Sequence, residues 1–176
     1  MTDTPTHSDL VAQYIRAIPD FPEPGILFRD ITPLLAEPEA FAHALDWLTE
    51  QCDGADAIVG IESRGFILGA PIAQRLNRPF VPVRKAGKLP ADTIARSYDL
   101  EYGSAMIEIH ADALNSGARV ALVDDLLATG GTAEASVQLV LQTGAEISAV
   151  TFLIELAALN GRERLRPHET TSLLIY

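Results

Sequence analysis

Residues Arg119 to Ser136 read RVALVDDLLATGGTAEAS, and this stretch decides the fold that the chain is expected to adopt. Its apolar run VALV is typical of a strand buried on both faces of a parallel sheet. We expect this strand to end at two carboxylates, Asp124 and Asp125, and a loop at 128–132 to lead into a helix from Ala133 to Gln142. A glycine loop in this position places N–H groups and the positive end of a helix at the carboxyl edge of a sheet, so it predicts a phosphate site. Two acids beside such a site indicate a ligand that also carries Mg²⁺ or hydroxyl groups.

A second stretch repeats this arrangement. A strand is predicted from Ala55 to Ile61, then a polar turn that contains Ser63 and Arg64, then a helix from Phe66 to Leu76. Two such crossovers predict an α/β fold with a central, mostly parallel sheet flanked by helices, and with both turns at one edge of the sheet. Arg64 could bind phosphate oxygens from this turn, although a surface salt bridge is the alternative.

The composition restricts the classes of function. A length of 176 residues predicts one domain with a substantial core. The net charge of −11 argues against nucleic-acid binding. We also expect no membrane partner, because no apolar run approaches the roughly 18 residues of a membrane span and the N-terminus lacks the features of a signal peptide. The single cysteine, Cys52, is compatible with a cytoplasmic location, and the four scattered histidines have no metal-ligand spacing.

The two lysines of the chain lie together. Lys85 and Lys88 fall within the sequence RKAGKLP at 84–90, which predicts a polyanionic ligand there, although a solvated loop with chance clustering is the alternative. Residues 84 to 103 show no convincing periodicity, and a structureless loop of that length is typical of a lid. The alternation from Ala105 to His110 predicts a strand that returns from this lid.

The remaining elements follow from apolar spacing and from proline and glycine positions. The prolines and glycine of 19–25 indicate an extended segment, and residues 26–30 are expected in a loop. The other predicted elements are helices at Leu10–Ile18, Glu39–Glu50 and Gly161–Leu165 and strands at Phe80–Val83, Ile147–Leu156 and Ser172–Ile175.

Five motifs together carry a resemblance to a known family. They are FPEPGILFRD at 21–30, SRGF at 63–66, RKAGKLP at 84–90, YDLEYG at 98–103 and VDDLLATGGT at 123–132. On these motifs the chain, from about Ile18 to Tyr176, resembles the type I phosphoribosyltransferases and, within them, the adenine-specific branch. The resemblance implies the fold of that family in a single domain, with a small N-terminal hood at about 1–35, a flexible lid loop at about 84–104, and a homodimer.

The resemblance also implies a reaction in the cytoplasm, in which adenine and phosphoribosyl pyrophosphate give AMP and pyrophosphate with Mg²⁺ that the substrate mainly holds. It assigns the 5′-phosphate and ribose to Asp124, Asp125, Ala128, Thr129, Gly130, Gly131 and Thr132. It assigns pyrophosphate to Ser63, Arg64, Arg84, Lys85 and Lys88, often with a cis peptide between Glu62 and Ser63. It assigns adenine to Leu27, Phe28, Arg29 and Leu126, and proton transfer to Glu101.

Other phosphate motifs do not fit. The chain has no Gly-x4-Gly-Lys-Ser/Thr loop for a nucleoside triphosphate and no Gly-x-Gly-x-x-Gly dinucleotide fingerprint. Two alternatives stay open: transfer to another purine base, such as hypoxanthine or xanthine, and a regulatory protein that senses phosphoribosyl pyrophosphate without catalysis. On spacing alone, Glu101 could also be a solvated lid residue.

Overall fold

The computed structural model describes residues 5–99 and 104–176. The chain divides into two compact units, residues 1–47 and 48–176, with the boundary inside one helix. The predicted hood at about 1–35 falls in the first unit and the predicted lid at about 84–104 in the second, so each unit is described in turn. No helix in the described part of the chain is long and apolar enough to cross a membrane.

The first unit combines short helices with a two-stranded antiparallel sheet. Its elements are α1 (His7–Ala12), β1 (Arg16–Pro19), β2 (Leu27–Asp30), α2 (Thr32–Leu35) and α3 (Pro38–Gln51), the last of which runs past the boundary at residue 47. Thr6 and Asp9 form a capping box that fixes the start of α1.

Two predictions for this unit were wrong, and one was confirmed. The helix expected from Leu10 to Ile18 ends at Ala12, because Ile18 pairs with Phe28 in the β1–β2 ladder. For the same reason, residues 27–30 form a strand rather than a loop. The helix predicted at Glu39–Glu50 is present as α3.

The second unit contains one sheet. Among the described residues it has seven strands in the order β5-β6-β4-β3-β7-β8-β9, in which β6 runs antiparallel to both of its neighbours, β5 and β4, and the other neighbouring pairs are parallel. The strands are β3 (Ala57–Ile61), β4 (Phe80–Lys85), β5 (Thr93–Asp99), β6 (Ser104–His110), β7 (Arg119–Leu127), β8 (Glu146–Glu155) and β9 (Thr170–Ile175). The helices are α4 (Arg64–Leu76), α5 (Gly131–Gln142) and two 3₁₀ helices, Ala157–Leu159 and Gly161–Leu165.

The predicted α/β fold is therefore confirmed, and the apolar runs explain it. All five residues of β3 are buried, as are the first four apolar residues of β7 after Arg119. Strands buried on both faces need helices on both sides, and the crossovers through α4 and α5 supply them. Because β3 and β7 are parallel neighbours, the turns that follow them meet at one edge of the sheet.

The segment expected as a structureless lid contains a strand. Residues 93–99 form β5, which pairs with β6, and its side chains alternate, with Ile94 and Tyr98 packed against the core and Ala95 exposed. The strand was missed because Arg96 shares the half-buried face with these apolar residues. The strand predicted at Ala105–His110 is present as β6. That residues 84–104 act as a lid stays a prediction.

Candidate functional site

The sequence predicted that the strand would end at the acidic pair. In the structure both aspartates instead lie inside β7. The strand continues to Leu127 because residues 126 and 127 still pair with β8. Successive side chains of a strand point to opposite faces, so Asp124 and Asp125 do not face the same way. Asp125 is buried, with 4% of its surface exposed, and its main-chain N–H donates to Asp124 Oδ1 at 2.9 Å.

Burial makes this pair electrostatically unusual. Burial and then the neighbouring charge of Asp125 raise the pKa of Asp124 well above its ordinary value. Burial also raises the pKa of Asp125, although the Arg64 guanidinium opposes that rise. Arg64, the first residue of α4, places Nε 2.9 Å from Asp125 Oδ2. This contact joins the two turns. It also shows that Arg64 forms an ion pair with a buried aspartate.

The glycine loop forms a small cavity at the end of β7. The cavity has a volume of about 90 Å³ and is lined by Asp124, Leu126, Leu127, Ala128, Thr129, Gly130, Gly131, Thr132 and Ala133. Gly130 stands at the N-cap of α5 with φ of 84°, and no side chain caps the helix start. The first N–H groups of a helix have no partner within it. They are therefore available to an anion, and the loop predicted for phosphate does form the start of α5.

Gly161, which the sequence indicated only as the start of a short helix, supports this loop from behind. A Cβ built on Gly130 would lie 2.5 Å from Gly161 O, and one built on Gly161 would lie 2.9 Å from Gly130 N. Arg162 next to it donates to Glu155 and to the main-chain oxygen of Thr170, which ties the 3₁₀ helix to β8 and β9. The approach is so close that neither glycine tolerates a side chain without movement of the loop.

The basic residues at the end of β4 are held by a carboxylate, Glu62, for which no sequence pattern predicted such a role. Glu62 accepts from Arg84 Nε at 3.2 Å, from Lys88 Nζ at 2.6 Å and from the main-chain N–H of Lys85 at 3.0 Å. Burial acts to raise the pKa of Glu62, but its hydrogen bonds to Lys88, Lys85 and Arg84 hold that pKa below its ordinary value. The Glu62–Ser63 peptide is cis, as the resemblance implied. Three of the residues predicted for pyrophosphate are thus gathered around one carboxylate.

The residues predicted for adenine fall in both units. Leu27, Phe28 and Arg29 lie on β2 of the first unit, where the ring of Phe28 packs edge-on against Phe21 at 5.2 Å between centroids. Leu126 lies on β7 of the second unit and lines the cavity. Glu101, predicted to transfer a proton, lies outside the described residues.

Comparison with known proteins gives the class to which this fold and site belong. The family model described as a phosphoribosyl transferase domain matches residues 31–173. An adenine phosphoribosyltransferase of Streptomyces coelicolor is 55% identical over 169 residues, which covers 95% of this chain and 93% of the relative.

Solved structures agree. That of adenine phosphoribosyltransferase from Thermoanaerobacter pseudethanolicus has a TM-score of 0.93 at 47% identity and covers 96% of this chain and 99% of its own. The enzyme from Saccharomyces cerevisiae, complexed with adenine and an imino-altritol bisphosphate, has a TM-score of 0.92 at 38% identity and covers 95% of this chain and 98% of its own. The chain belongs to the phosphoribosyltransferase family, in its adenine phosphoribosyltransferase branch.

Proposed function

We propose that this protein transfers the 5-phosphoribosyl group from phosphoribosyl pyrophosphate to adenine, which gives AMP and pyrophosphate, and so salvages purine bases. The observation that carries the proposal is the cavity at the end of β7, where two aspartates precede a glycine loop and a helix N-terminus. The names of the relatives support the choice of adenine, and one of them holds adenine together with a bisphosphate.

In the proposed mechanism the cavity holds the phosphoribosyl group. The N–H groups of Ala128 to Thr132 bind its 5′-phosphate, because they surround the start of α5. Asp124 and Asp125 accept hydrogen bonds from the ribose hydroxyls. They also favour the positive charge that develops on the sugar as the bond to pyrophosphate breaks.

The leaving group is stabilised by cations. Ser63 and Arg64 at the start of α4 bind pyrophosphate together with Arg84, Lys85 and Lys88, and the lid predicted at 84–104 keeps water from the sugar. Glu62 forms ion pairs with both Arg84 and Lys88. Pyrophosphate therefore competes with Glu62 for these two side chains.

We propose that Mg²⁺ accompanies the donor. Carboxylate oxygens such as those of Asp124 and Asp125 suit this hard ion. However, Arg64 already pairs with Asp125, and the described residues contain no group of three or more candidate ligands. The substrate's phosphates would therefore supply most of the oxygens, and we propose no dedicated protein ligand for the ion. The ion, when bound, neutralises charge that grows on the leaving group.

Adenine is proposed to contact main-chain groups of Leu27 and Arg29, with Phe28 and Leu126 against its ring, while Glu101 exchanges a proton with it. A site that pairs with the 6-amino group can reject bases that lack it by about 10⁴-fold, since buried polar groups would otherwise stay unpaired.

The family resemblance further supports a homodimer, which sedimentation at micromolar concentration would test. It also supports a cytoplasmic location, with which the single buried thiol of Cys52 is compatible. We also propose that the chain forms a single phosphoribosyltransferase domain, with an N-terminal hood at about 1–35.

The test is turnover of adenine, hypoxanthine, guanine and xanthine with the same donor and Mg²⁺. We expect turnover of adenine to exceed that of the other bases by about 10⁴-fold. Preference for another base would replace the substrate assignment. Binding of the donor without turnover of any base would instead favour a sensing protein.

A further inference from the structure

A second buried carboxylate, Glu108 on β6, contacts the same basic segment that Glu62 contacts. The segment at 84–90 is called the basic loop below. Only 6% of the surface of Glu108 is exposed. In the sequence this residue lies on the polar face of an alternating strand, where a charge is usually solvated. A buried charge requires partners.

The partners of Glu108 are main-chain groups of the basic loop. Its Oε1 accepts from the N–H groups of Lys88 and Leu89, each at 3.0 Å, and its Oε2 accepts from Thr93 Oγ1 at 3.3 Å. Although burial acts to raise the pKa of Glu108, the amides of Leu89, Gly87 and Lys88 hold it below its ordinary value. Glu108 is therefore a charged acceptor around which the turn of the basic loop closes.

The backbone of the loop matches this arrangement. Gly87 adopts φ of 83°, which lets the chain turn back toward β6. The N–H of Ala86 donates to Met106 O at 2.9 Å, so the loop leaves β4 in register with β6. Lys88, held through its main chain by Glu108, then extends its Nζ to Glu62.

Glu62 and Glu108 thus contact different parts of the same loop. Glu62 binds the cationic groups of Arg84 and Lys88, whereas Glu108 binds the main chain that carries them. Removal of Glu62 would alter both position and charge neutralisation. Removal of the charge at Glu108 chiefly alters the position of the loop.

We propose that Glu108 is a positioning residue for the proposed transferase, which fixes the main chain of the basic loop so that Arg84 and Lys88 can bind the pyrophosphate group. The inference rests on the proposed function, since it assigns a role to the loop in that reaction. The direction in which pyrophosphate affinity changes when the Glu108 charge is removed distinguishes a positioning role from a purely electrostatic one. Loss of a negative charge beside an anion site should strengthen anion binding, whereas loss of a positioning residue should weaken it.

The test is Glu108→Gln, with the exposed carboxylate variant Glu146→Gln as its matched control for loss of one charge. Calorimetry would measure the Kd of inorganic pyrophosphate with Mg²⁺ and the Kd of AMP for each protein. We expect pyrophosphate to bind about tenfold more weakly to Glu108→Gln, as expected for a disturbed hydrogen-bonded loop. We expect AMP, which has no pyrophosphate, to bind within twofold of wild type, and Glu146→Gln to change neither.

Unchanged or tighter pyrophosphate binding by a folded Glu108→Gln would overturn the inference. Equal losses for pyrophosphate and AMP would also overturn it, since they would indicate general destabilisation. If Glu108→Gln does not fold, Thr93→Val removes the hydroxyl partner of the same carboxylate, and the same selective loss is expected at smaller size. Wild-type turnover of adenine tests the proposed function separately, because pyrophosphate binding is measured without it.

Discussion

The substitution Gly161→Ala tests whether the phosphate loop depends on its support by the 3₁₀ helix. Gly161 is outside the loop and has a φ outside the left-handed region, so alanine meets no conformational penalty of its own. Its new methyl group would, however, overlap Ala128 O and lie 2.9 Å from Gly130 N. The two backbones must therefore separate.

The size of that separation follows from the distances. An ordinary contact for a Cβ begins at 3.4 Å, so the contact with Gly130 N alone requires a shift of 0.5 Å, the difference between 3.4 and 2.9 Å, and the overlap with Ala128 O requires a larger one. A misplacement approaching 1 Å can lower a rate by about 100-fold. We therefore expect the Kd of AMP and the KM of phosphoribosyl pyrophosphate to rise by roughly 10- to 100-fold. Overpacking should also lower stability by about 1–3 kcal/mol.

Calorimetry with AMP and thermal unfolding would be measured on the same samples. The matched control is Gly69→Ala in α4, where the same methyl would lie 2.8 Å from the Phe80 ring and away from the phosphate loop. We expect the control to lose stability and to keep its affinity for AMP. Wild-type affinity for AMP in folded Gly161→Ala would refute the reasoning, as would an equal loss of affinity in the control.

Three further predictions concern the titratable groups. Asp124→Asn should raise the Tm of the protein without ligand at pH 7, because the raised pKa of Asp124 means that its ionised form destabilises the fold. This gain in Tm should vanish in acid, where the wild-type carboxylate takes up a proton. A lower Tm for Asp124→Asn at pH 7 would contradict the prediction. Asp30, whose pKa is lowered from 3.8 to about 2 by the Thr32 N–H and by Arg16, should stabilise the protein above pH 4 and lose this effect as pH falls from 3.8 to about 2. The Tm difference between wild type and Asp30→Asn should therefore close over that range, and a constant difference would count against the assignment. Glu101→Ala should lower kcat by roughly 10²-fold, and an unchanged kcat would remove this residue from proton transfer.

Sequence patterns predicted the parts of the fold that depend on local order. Strands β3 and β7 were predictable because each is an apolar run that a glycine turn follows, and α5 was predictable from its helical pattern between Gly131 and Gly144. The extension of β7 through Asp124 and Asp125 was not predictable, because an ion pair with Arg64 partly offsets the burial of Asp125 and that contact joins distant parts of the chain.

The groups that support the site were missed for the same reason. Glu62 and Glu108 are ordinary surface residues by type, and only the return of the basic loop covers them and supplies their hydrogen-bond partners. Gly161 contacts Gly130 across 31 positions of the chain, the difference between 161 and 130, so no local pattern could indicate that closeness. For this site the sequence predicts which side chains would meet the ligand, whereas contacts between distant segments determine how those side chains are positioned.

A crystal structure of the protein with AMP would test the central claim most directly. We predict that the phosphate of AMP lies within hydrogen-bonding distance of the N–H groups of Thr129 to Thr132, with the ribose hydroxyls near Asp124 and Asp125. A nucleotide whose phosphate lay away from this loop would contradict the account.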